Sequence, residues 1–301
     1  MSDWVLSVEG TEAGRIAAML LALLSAVTHA AFGALQKGRH DPWLSRAAVD
    51  IGYGGIAAVL LVLFVPLPEP YLWPVFAGMM AIHVTYKALM AMAYQRGAYM
   101  VVYPIVRGTG PLVTVLFAGF LFGEHFTRVQ WLGVWLLSGG IFVLAAVNFR
   151  TSALAARHAL AAAIGFALLA GVTVAGYTTY DAYGIRLSPD PFTFLVWFFF
   201  LDGFSFAILS LPKWLPAARR APVGPLAMRG LAGGVMAYVS FGGVMLATRL
   251  DKVGEAAVLR ETSVVFAGLI GWLFLRERVG MLRSALLIVI AAGAVVVEFG
   301  V

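Results

Sequence analysis

The chain has 301 residues, of which 61% are hydrophobic and 12% are charged, and its mean hydropathy is +0.91. A soluble domain could not bury so many apolar side chains, so the composition indicates a membrane protein and excludes a soluble enzyme. In a membrane protein, the net charge of +6 does not point to a nucleic-acid partner. The sequence has no Cys, which excludes disulfides, thiolate nucleophiles and Cys-ligated metal sites, and we expect neither a metal ion nor a cofactor.

Hydrophobic runs separated by Pro, Gly or charged residues recur along the whole chain. A helix that crosses the bilayer needs about 20 residues, so these runs leave no room for a soluble domain. We predict an all-α membrane protein with ten transmembrane helices over residues 14–36, 46–66, 71–94, 98–121, 129–148, 158–180, 191–211, 225–248, 253–275 and 281–299. The first run follows acidic residues and lacks a small-residue cleavage site, so we interpret it as a retained span rather than a signal peptide.

The basic residues of the predicted loops are distributed unequally. Five lie on the side of the chain termini and 13 lie on the other side. By the positive-inside rule, the richer side faces the cytoplasm and both termini lie outside it. We expect a multi-pass protein of a bacterial inner membrane, either a monomer or a homodimer, whose partners are the lipid bilayer and a small-molecule substrate.

Ionisable residues within the predicted spans are few. A charged side chain at the bilayer centre costs about 2.5–3.5 kcal/mol by insertion scales, so such a residue is expected to face a cavity or a partner. His29 lies in the first span, Asp50 in the second and Asp202 in the seventh. A histidine or a carboxylate at such a position is a candidate carrier of a coupling proton. The alternative is a hydrogen bond to a neighbouring helix.

The third and fourth spans carry further polar residues. His83 and Lys87 are four residues apart and therefore share one face of a helix, beside Tyr86. Lys87 either faces a cavity or extends to the membrane interface. A polar stripe in the fourth span is centred on Arg107 and consists of Tyr99, Tyr103, Arg107, Gly110 and Thr114.

Arg260 in the ninth span is the counterpart of Arg107 and is followed by Glu261. The two arginines could jointly bind a carboxylate or a phosphate, because guanidinium groups bind such anions bidentately. They could equally pair with acidic residues inside the protein, and the sequence leaves both alternatives open. The aromatic residues expected around the cavity are Tyr86, Tyr177, Tyr180, Trp197 and Tyr238.

Two spans contain residues that can bend a helix. Pro104, Pro111, Gly108 and Gly110 are expected to interrupt the fourth span, and a broken helix in a membrane bundle can act as a hinge. The ninth span has no Pro, so a hinge there is expected at Gly268 and Gly271.

The sequence also contains a weak internal duplication. Five residues recur 153 positions later: Arg96, Arg107, Thr109, Glu124 and Gly140 have the mates Arg249, Arg260, Thr262, Glu277 and Gly293. We therefore divide the chain into two five-helix repeats, residues 1–150 and 151–301. Because each repeat crosses the bilayer an odd number of times, the two repeats are predicted to be inverted relative to each other.

The two repeats end in similar motifs. The first has Leu121-Phe122-Gly123-Glu124, then Gln130-Trp131-Leu132-Gly133 and Gly139-Gly140; the second has Leu273-Phe274-Leu275-Arg276-Glu277, then Gly293. In these motifs the chain resembles the drug/metabolite transporter superfamily, specifically its ten-span EamA-type members. The resemblance implies that the first span lines the cavity. Family members commonly carry Trp-Gly there, where this chain has His29, and often an Arg early in the second span, where this chain has Asp50.

Together these features predict a secondary active transporter that works by alternating access between two inverted repeats. We expect it to be an exporter, and proton coupling is one option for its energy source. The predicted substrate is a small organic metabolite, such as an amino acid or another amphipathic or anionic solute. The candidate substrate-binding residues are His29, His83, Tyr86, Lys87, Tyr103, Arg107, Tyr177, Trp197, Tyr238, Arg260 and Glu261. The alternatives are a membrane scaffold or an integral membrane transferase that uses His29, Asp50 or Asp181. The sequence contains none of the zinc, hydrolase or phosphate-loop motifs that would favour an enzyme.

Overall fold

The structure is a computed structural model and describes residues 2–36, 41–97, 99–150, 157–273 and 280–300. The regular structure of these residues is α-helical, as the sequence predicts. In chain order the helices are α1 (Ser2–Val8), α2 (Glu12–Gln36), α3 (Pro42–Phe64), α4 (Leu72–Arg96), α5 (Tyr99–Phe122), α6 (Arg128–Arg150), α7 (Arg157–Leu187), α8 (Pro191–Leu209), α9 (Leu211–Ala218), α10 (Val223–Leu250), α11 (Val253–Arg260), α12 (Ser263–Leu273) and α13 (Met281–Phe299).

Within the described ranges, nine helices are long and apolar enough to cross a membrane. They are α2 to α8, α10 and α13, and they correspond to the predicted spans other than the ninth. The largest difference in length is at α7, which continues past the predicted end at residue 180 to Leu187.

The ninth predicted span is divided into two helices. α11 ends at Arg260, a turn follows at Glu261 and Thr262, and α12 starts at Ser263. The hydroxyl of Thr262 donates a 2.6 Å hydrogen bond to the carbonyl of Leu259, and such a local bond competes with the regular helical pattern. The predicted residues 274–275 lie outside the described residues.

The breaks therefore differ from those expected. α5 runs through Pro104 and Pro111 without interruption, so the prediction of a broken fourth span is wrong. Membrane helices tolerate Pro where neighbouring groups satisfy the freed carbonyls. In the ninth span the chain breaks before Gly268 and Gly271 rather than at them.

Two equivalent helices begin with the same Asp-Pro pair. Asp41 accepts two hydrogen bonds from the first backbone N–H groups of α3, each 2.9 Å long, and Pro42 is the first helical residue. Asp190 and Pro191 form the same start at α8, with distances of 2.9 and 3.2 Å. An aspartate cap satisfies N–H groups that have no partner within the helix, and a following Pro has the dihedral angle that the helix requires.

The helices of the two halves pair in the same way. α2 packs on α10 as α7 packs on α4, and α5 packs on α7 as α12 packs on α2. α3 packs on α8 and α6 packs on α13, so each of these helices contacts its own counterpart. These four pairings are unchanged when the halves are exchanged.

α3 and α8 approach each other closely. A Cβ atom on Gly203 would lie 2.5 Å from the Cα atom of Gly54 and 2.7 Å from the carbonyl oxygen of Asp50. Only a residue without a side chain fits this crossing. The close approach brings Asp50 and Asp202, which immediately precedes Gly203, to the same region of the interior.

Candidate functional site

Lys87 on α4 lies between two carboxylates from different halves. Its Nζ is 2.9 Å from Asp50 Oδ2 and 2.8 Å from Asp202 Oδ1, and it donates a 3.0 Å hydrogen bond to the hydroxyl of Tyr53. Arg46 Nε is 2.8 Å from the other oxygen of Asp50, and Tyr53 donates a hydrogen bond to Asp202. We refer to these five residues as the Lys87 cluster.

The Lys87 cluster is buried apart from Arg46, whose side chain is 16% exposed, and its charges balance. Lys87 is 1% exposed, Asp50 0% and Asp202 3%. Two cations face two carboxylates, and buried ions are tolerated when they are paired in this way. Lys87 therefore lies inside the bundle instead of extending to an interface. The prediction that His83 shares its face is confirmed, because both residues contact Asp202.

A second polar pair joins α4 to α7. His83 Nε2 is 2.8 Å from Asp181 Oδ2, and His83 Nδ1 is 3.7 Å from Asp202 Oδ1. The imidazole ring packs on Tyr177, with 4.7 Å between the ring centroids. Asp181 is 2% exposed, and its other oxygen has no hydrogen-bond partner among the described residues.

Arg107 is paired internally. Its Nη1 is 2.9 Å from Glu261 Oε1, its Nη2 contacts His29 Nε2, and its guanidinium carbon is 5.2 Å from the centroid of the Tyr103 ring. The other ring nitrogen of His29 is 3.4 Å from the hydroxyl of Ser240. Of the two alternatives that the sequence leaves open, internal pairing describes Arg107.

Arg260 has different surroundings, although it is the repeat mate of Arg107. It is 2% exposed, its guanidinium carbon lies 4.5 Å from the centroid of the Phe241 ring, and Nη1 donates a 3.4 Å hydrogen bond to Tyr177. Nε and Nη2 have no hydrogen-bond partner in the part of the chain that the structure describes. Buried donors are nearly always satisfied in folded proteins, so these two nitrogens mark a position for an acceptor.

Two cavities meet at Arg260. The first is lined by Gly110, Pro111, Thr114, Val174, Thr178, Ala257, Arg260 and Glu261. The second is lined by Tyr177, Thr178, Asp181, Phe241, Val244, Met245, Thr248 and Arg260. The lining residues come from α5, α7, α10, α11 and the turn after α11, so both halves of the chain contribute to the site.

Two of the predicted tyrosines border this region. The ring of Tyr86 packs edge to face on Tyr177, with 5.1 Å between centroids. The ring of Tyr103 stacks on His29, with 6.3 Å between centroids. The side chain of Tyr99, the remaining tyrosine of the polar stripe, lies outside the part of the structure that is described, as does Glu277.

Tyr238 and Trp197 lie farther from the cavities. Tyr238 stacks on Phe199 with 4.1 Å between centroids. The indole N–H of Trp197 donates a 2.8 Å hydrogen bond to the carbonyl of Pro66, and its ring packs on Trp73. The structure thus brings together most of the candidate residues around Arg260 and the Lys87 cluster, but not Tyr238 or Trp197.

On the side of the chain termini, polar contacts join the two halves. Both carboxylate oxygens of Glu124, in the loop after α5, accept hydrogen bonds from the start of α11, from the N–H of Val253 at 2.7 Å and of Gly254 at 3.0 Å. Burial raises the pKa of Glu124 above its ordinary value of 4.5, although these hydrogen bonds act in the opposite direction. At the end of α10, Arg249 pairs with Glu9 at 3.2 Å.

Sequence reasoning missed several residues of the site. Arg46 and Tyr53 stand at helical spacing on either side of Asp50, which could have indicated a shared face. The sequence offers Asp181 only as a residue of a possible transferase. Thr178 carries no signal of its own, because Thr is common between membrane helices.

The fold and the site define a multi-pass α-helical membrane protein with charged residues and cavities inside its helix bundle. The chain belongs to the EamA-like transporter family, whose model matches it twice, over residues 16–146 and 161–299. This family is part of the drug/metabolite transporter superfamily, and its members are transporters rather than enzymes.

No curated protein sequence matches the chain. A solved crystal structure with 20% sequence identity superposes with a TM-score of 0.76 and covers 94% of this chain and 97% of its own. At this identity the similarity supports the fold alone.

Proposed function

We propose that this protein is a secondary active transporter of a small organic metabolite that carries an anionic group, and that Arg260 binds this group. The observation that carries the site is a buried guanidinium with two unpaired nitrogens at the meeting point of two cavities. Nε and Nη2 form one edge of the guanidinium, and such an edge binds a carboxylate or phosphate through two parallel hydrogen bonds.

The transport mechanism is alternating access between two inverted repeats. Two observations support this arrangement. Each repeat has an odd number of predicted spans, and the helix pairings described above are unchanged when the halves are exchanged. The break at Glu261 and Thr262 supports it further, since binding sites of transporters are commonly built at the ends of discontinuous helices near the middle of the membrane.

The location and direction of transport belong to the same proposal. The unequal distribution of basic residues supports an inner membrane of a bacterium with both termini outside the cytoplasm. Export of the metabolite is the expected direction.

A thermal-shift screen of the purified protein tests the site. The screen covers carboxylates, phosphates, amino acids and amines. We expect anionic solutes to raise the unfolding temperature of the wild type, because a ligand that binds the folded state stabilises it. Arg260→Gln should lose this response.

Arg220→Gln is the matched control, since it removes the same charge from an exposed position between α9 and α10. It should respond to anions as the wild type does. Stabilisation of Arg260→Gln by the same anions would contradict the assignment of the site, and stabilisation of the wild type by amines alone would contradict the anionic substrate class.

A further inference from the structure

We propose that the pair of His83 and Asp181 takes up one proton for each negative charge that binds at Arg260. Proton and substrate anion then cross the membrane as an electroneutral unit, and export runs when the outward gradient of the substrate exceeds the inward gradient of protons. The proposal rests on the transport function proposed above and adds the coupling ion and its binding site.

Without a ligand, the charges around the cavities sum to zero only if the pair of His83 and Asp181 holds no extra proton. The cations and carboxylates of the Lys87 cluster offset each other, and Glu261 neutralises Arg107 at 2.9 Å. This leaves the guanidinium of Arg260 and the carboxylate of Asp181, each 2% exposed. With a neutral imidazole at His83, these two charges offset each other.

An anion bound at Arg260 changes this balance. It neutralises the guanidinium and leaves Asp181 as an uncompensated carboxylate in a low-dielectric interior, where an unpaired charge is costly. One added proton removes the excess negative charge. It converts the imidazole of His83 into an imidazolium that still contacts Asp181 Oδ2 at 2.8 Å.

The cavities give the pair its connection to the substrate site. Asp181 and Arg260 line the same cavity, so an anion bound to Arg260 from this cavity would lie close to Asp181. The oxygen of Asp181 that is not bonded to His83 has no hydrogen-bond partner among the described residues. A proton can therefore reach the pair from the cavity.

The groups that face the pair come from all the helices packed around it. They are Lys87 on α4, Tyr177 on α7, Asp202 on α8 and Arg260 on α11, together with the uncharged Phe241, Met245 and Thr248 of α10. Asp202 Oδ1, 3.7 Å from His83 Nδ1, favours the imidazolium. Arg260 disfavours it until an anion neutralises the guanidinium. Proton binding and anion binding therefore strengthen each other, and by linkage the effect is reciprocal.

The three residues that the sequence offers as proton carriers are less suited to this role. Nε2 of His29 contacts the guanidinium of Arg107, so a proton there would bring two cations together. Asp50 and Asp202 each contact Lys87 at 2.9 Å or less, so a proton on either carboxylate would remove an existing ion pair.

The test follows the protonation of the His83 ring by nitrogen NMR of protein labelled in its five histidines, with His83→Gln used to assign the signal. Benzoate is the anionic probe, because aromatic rings flank Arg260, and benzamide is its neutral control. We expect benzoate to shift the titration midpoint of His83 to higher pH. Benzamide should leave the midpoint unchanged.

Variants separate the possible outcomes. The shift should be lost in Arg260→Gln and retained in His125→Gln, which removes an exposed histidine of the loop before α6. If benzoate stabilises the protein against heat but leaves the titration of His83 unmoved, the coupling proposal is overturned and the transport proposal stands. If benzoate has no effect on thermal stability, the anion site itself is contradicted, and the coupling proposal fails with it.

Discussion

Arg107 and Arg260 occupy equivalent positions in the two repeats but have different chemical surroundings. Arg107 contacts a carboxylate and an imidazole, whereas the closest partners of Arg260 are a phenol hydroxyl and an aromatic ring. The duplication could reveal the pair of arginines, but it could not tell which one is free for a ligand. That difference depends on Glu261, which follows Arg260 in sequence and yet reaches across to Arg107.

Removal of the internal ion pair should affect stability more than binding. We expect Arg107→Gln to lower the free energy of unfolding by about 3–5 kcal/mol, because it leaves Glu261 as an unpaired buried carboxylate. The double variant Arg107→Gln/Glu261→Gln should recover most of this loss. Unfolding of both variants in detergent measures the effect, and wild-type stability of the single variant would show that the ion pair does not stabilise the fold.

Glu124 provides a prediction of pH dependence. Its pKa is raised in the folded state by burial, so the folded protein holds this proton more tightly than the unfolded chain. The contribution of the protonated carboxyl group to stability is then present below the ordinary pKa of 4.5 and is lost as the pH rises through the folded pKa.

Thermal unfolding of the wild type and Glu124→Gln over a series of pH values checks this expectation. The stability of the wild type relative to the variant should fall as the pH rises above about 4.5. A relative stability that increases over the same range would mean that the hydrogen bonds from the start of α11 outweigh burial.

At the level of the helices, α3 and α8 cross at a short distance. Gly203→Ala would place a Cβ atom against the backbone of Gly54 and Asp50, and overpacking of this kind costs about 1–3 kcal/mol. We expect a lower unfolding temperature and a lower folded yield. Gly55→Ala is the matched control on α3, since a Cβ there meets nothing within 4 Å; equal stability of the two variants would contradict the close crossing.

The sequence predicts the long helices well because each needs an apolar run of a length that the bilayer sets. It does not predict α1 and α9, which are shorter than a span. It also misplaces the break in the ninth span, because the turn at Glu261 and Thr262 contains neither Pro nor Gly. Of the candidate site, the sequence finds the charged residues, but their partners depend on contacts between helices that are far apart in the chain, such as Lys87 with Asp202.

At the level of the whole molecule, thiol labelling can test the orientation in the membrane. Because the sequence has no Cys, the wild type gives no background labelling. Ser7→Cys lies at an exposed position of α1, and Gly224→Cys lies at an exposed position near the start of α10. A membrane-impermeant maleimide should label Ser7→Cys in intact cells but should label Gly224→Cys only after permeabilisation. The opposite pattern would reverse the topology that the basic residues predict.

Solute flux in proteoliposomes tests the central claim most directly. Labelled anionic solutes that stabilise the purified protein are offered to vesicles that contain the wild type, Arg260→Gln or Arg220→Gln. We predict time-dependent flux for the wild type and Arg220→Gln, and a rate at least about tenfold lower for Arg260→Gln, because the substrate loses two charge-assisted hydrogen bonds to the guanidinium. Absence of flux in the wild type for every stabilising solute, or equal flux in Arg260→Gln, would contradict a transporter whose substrate binds at Arg260.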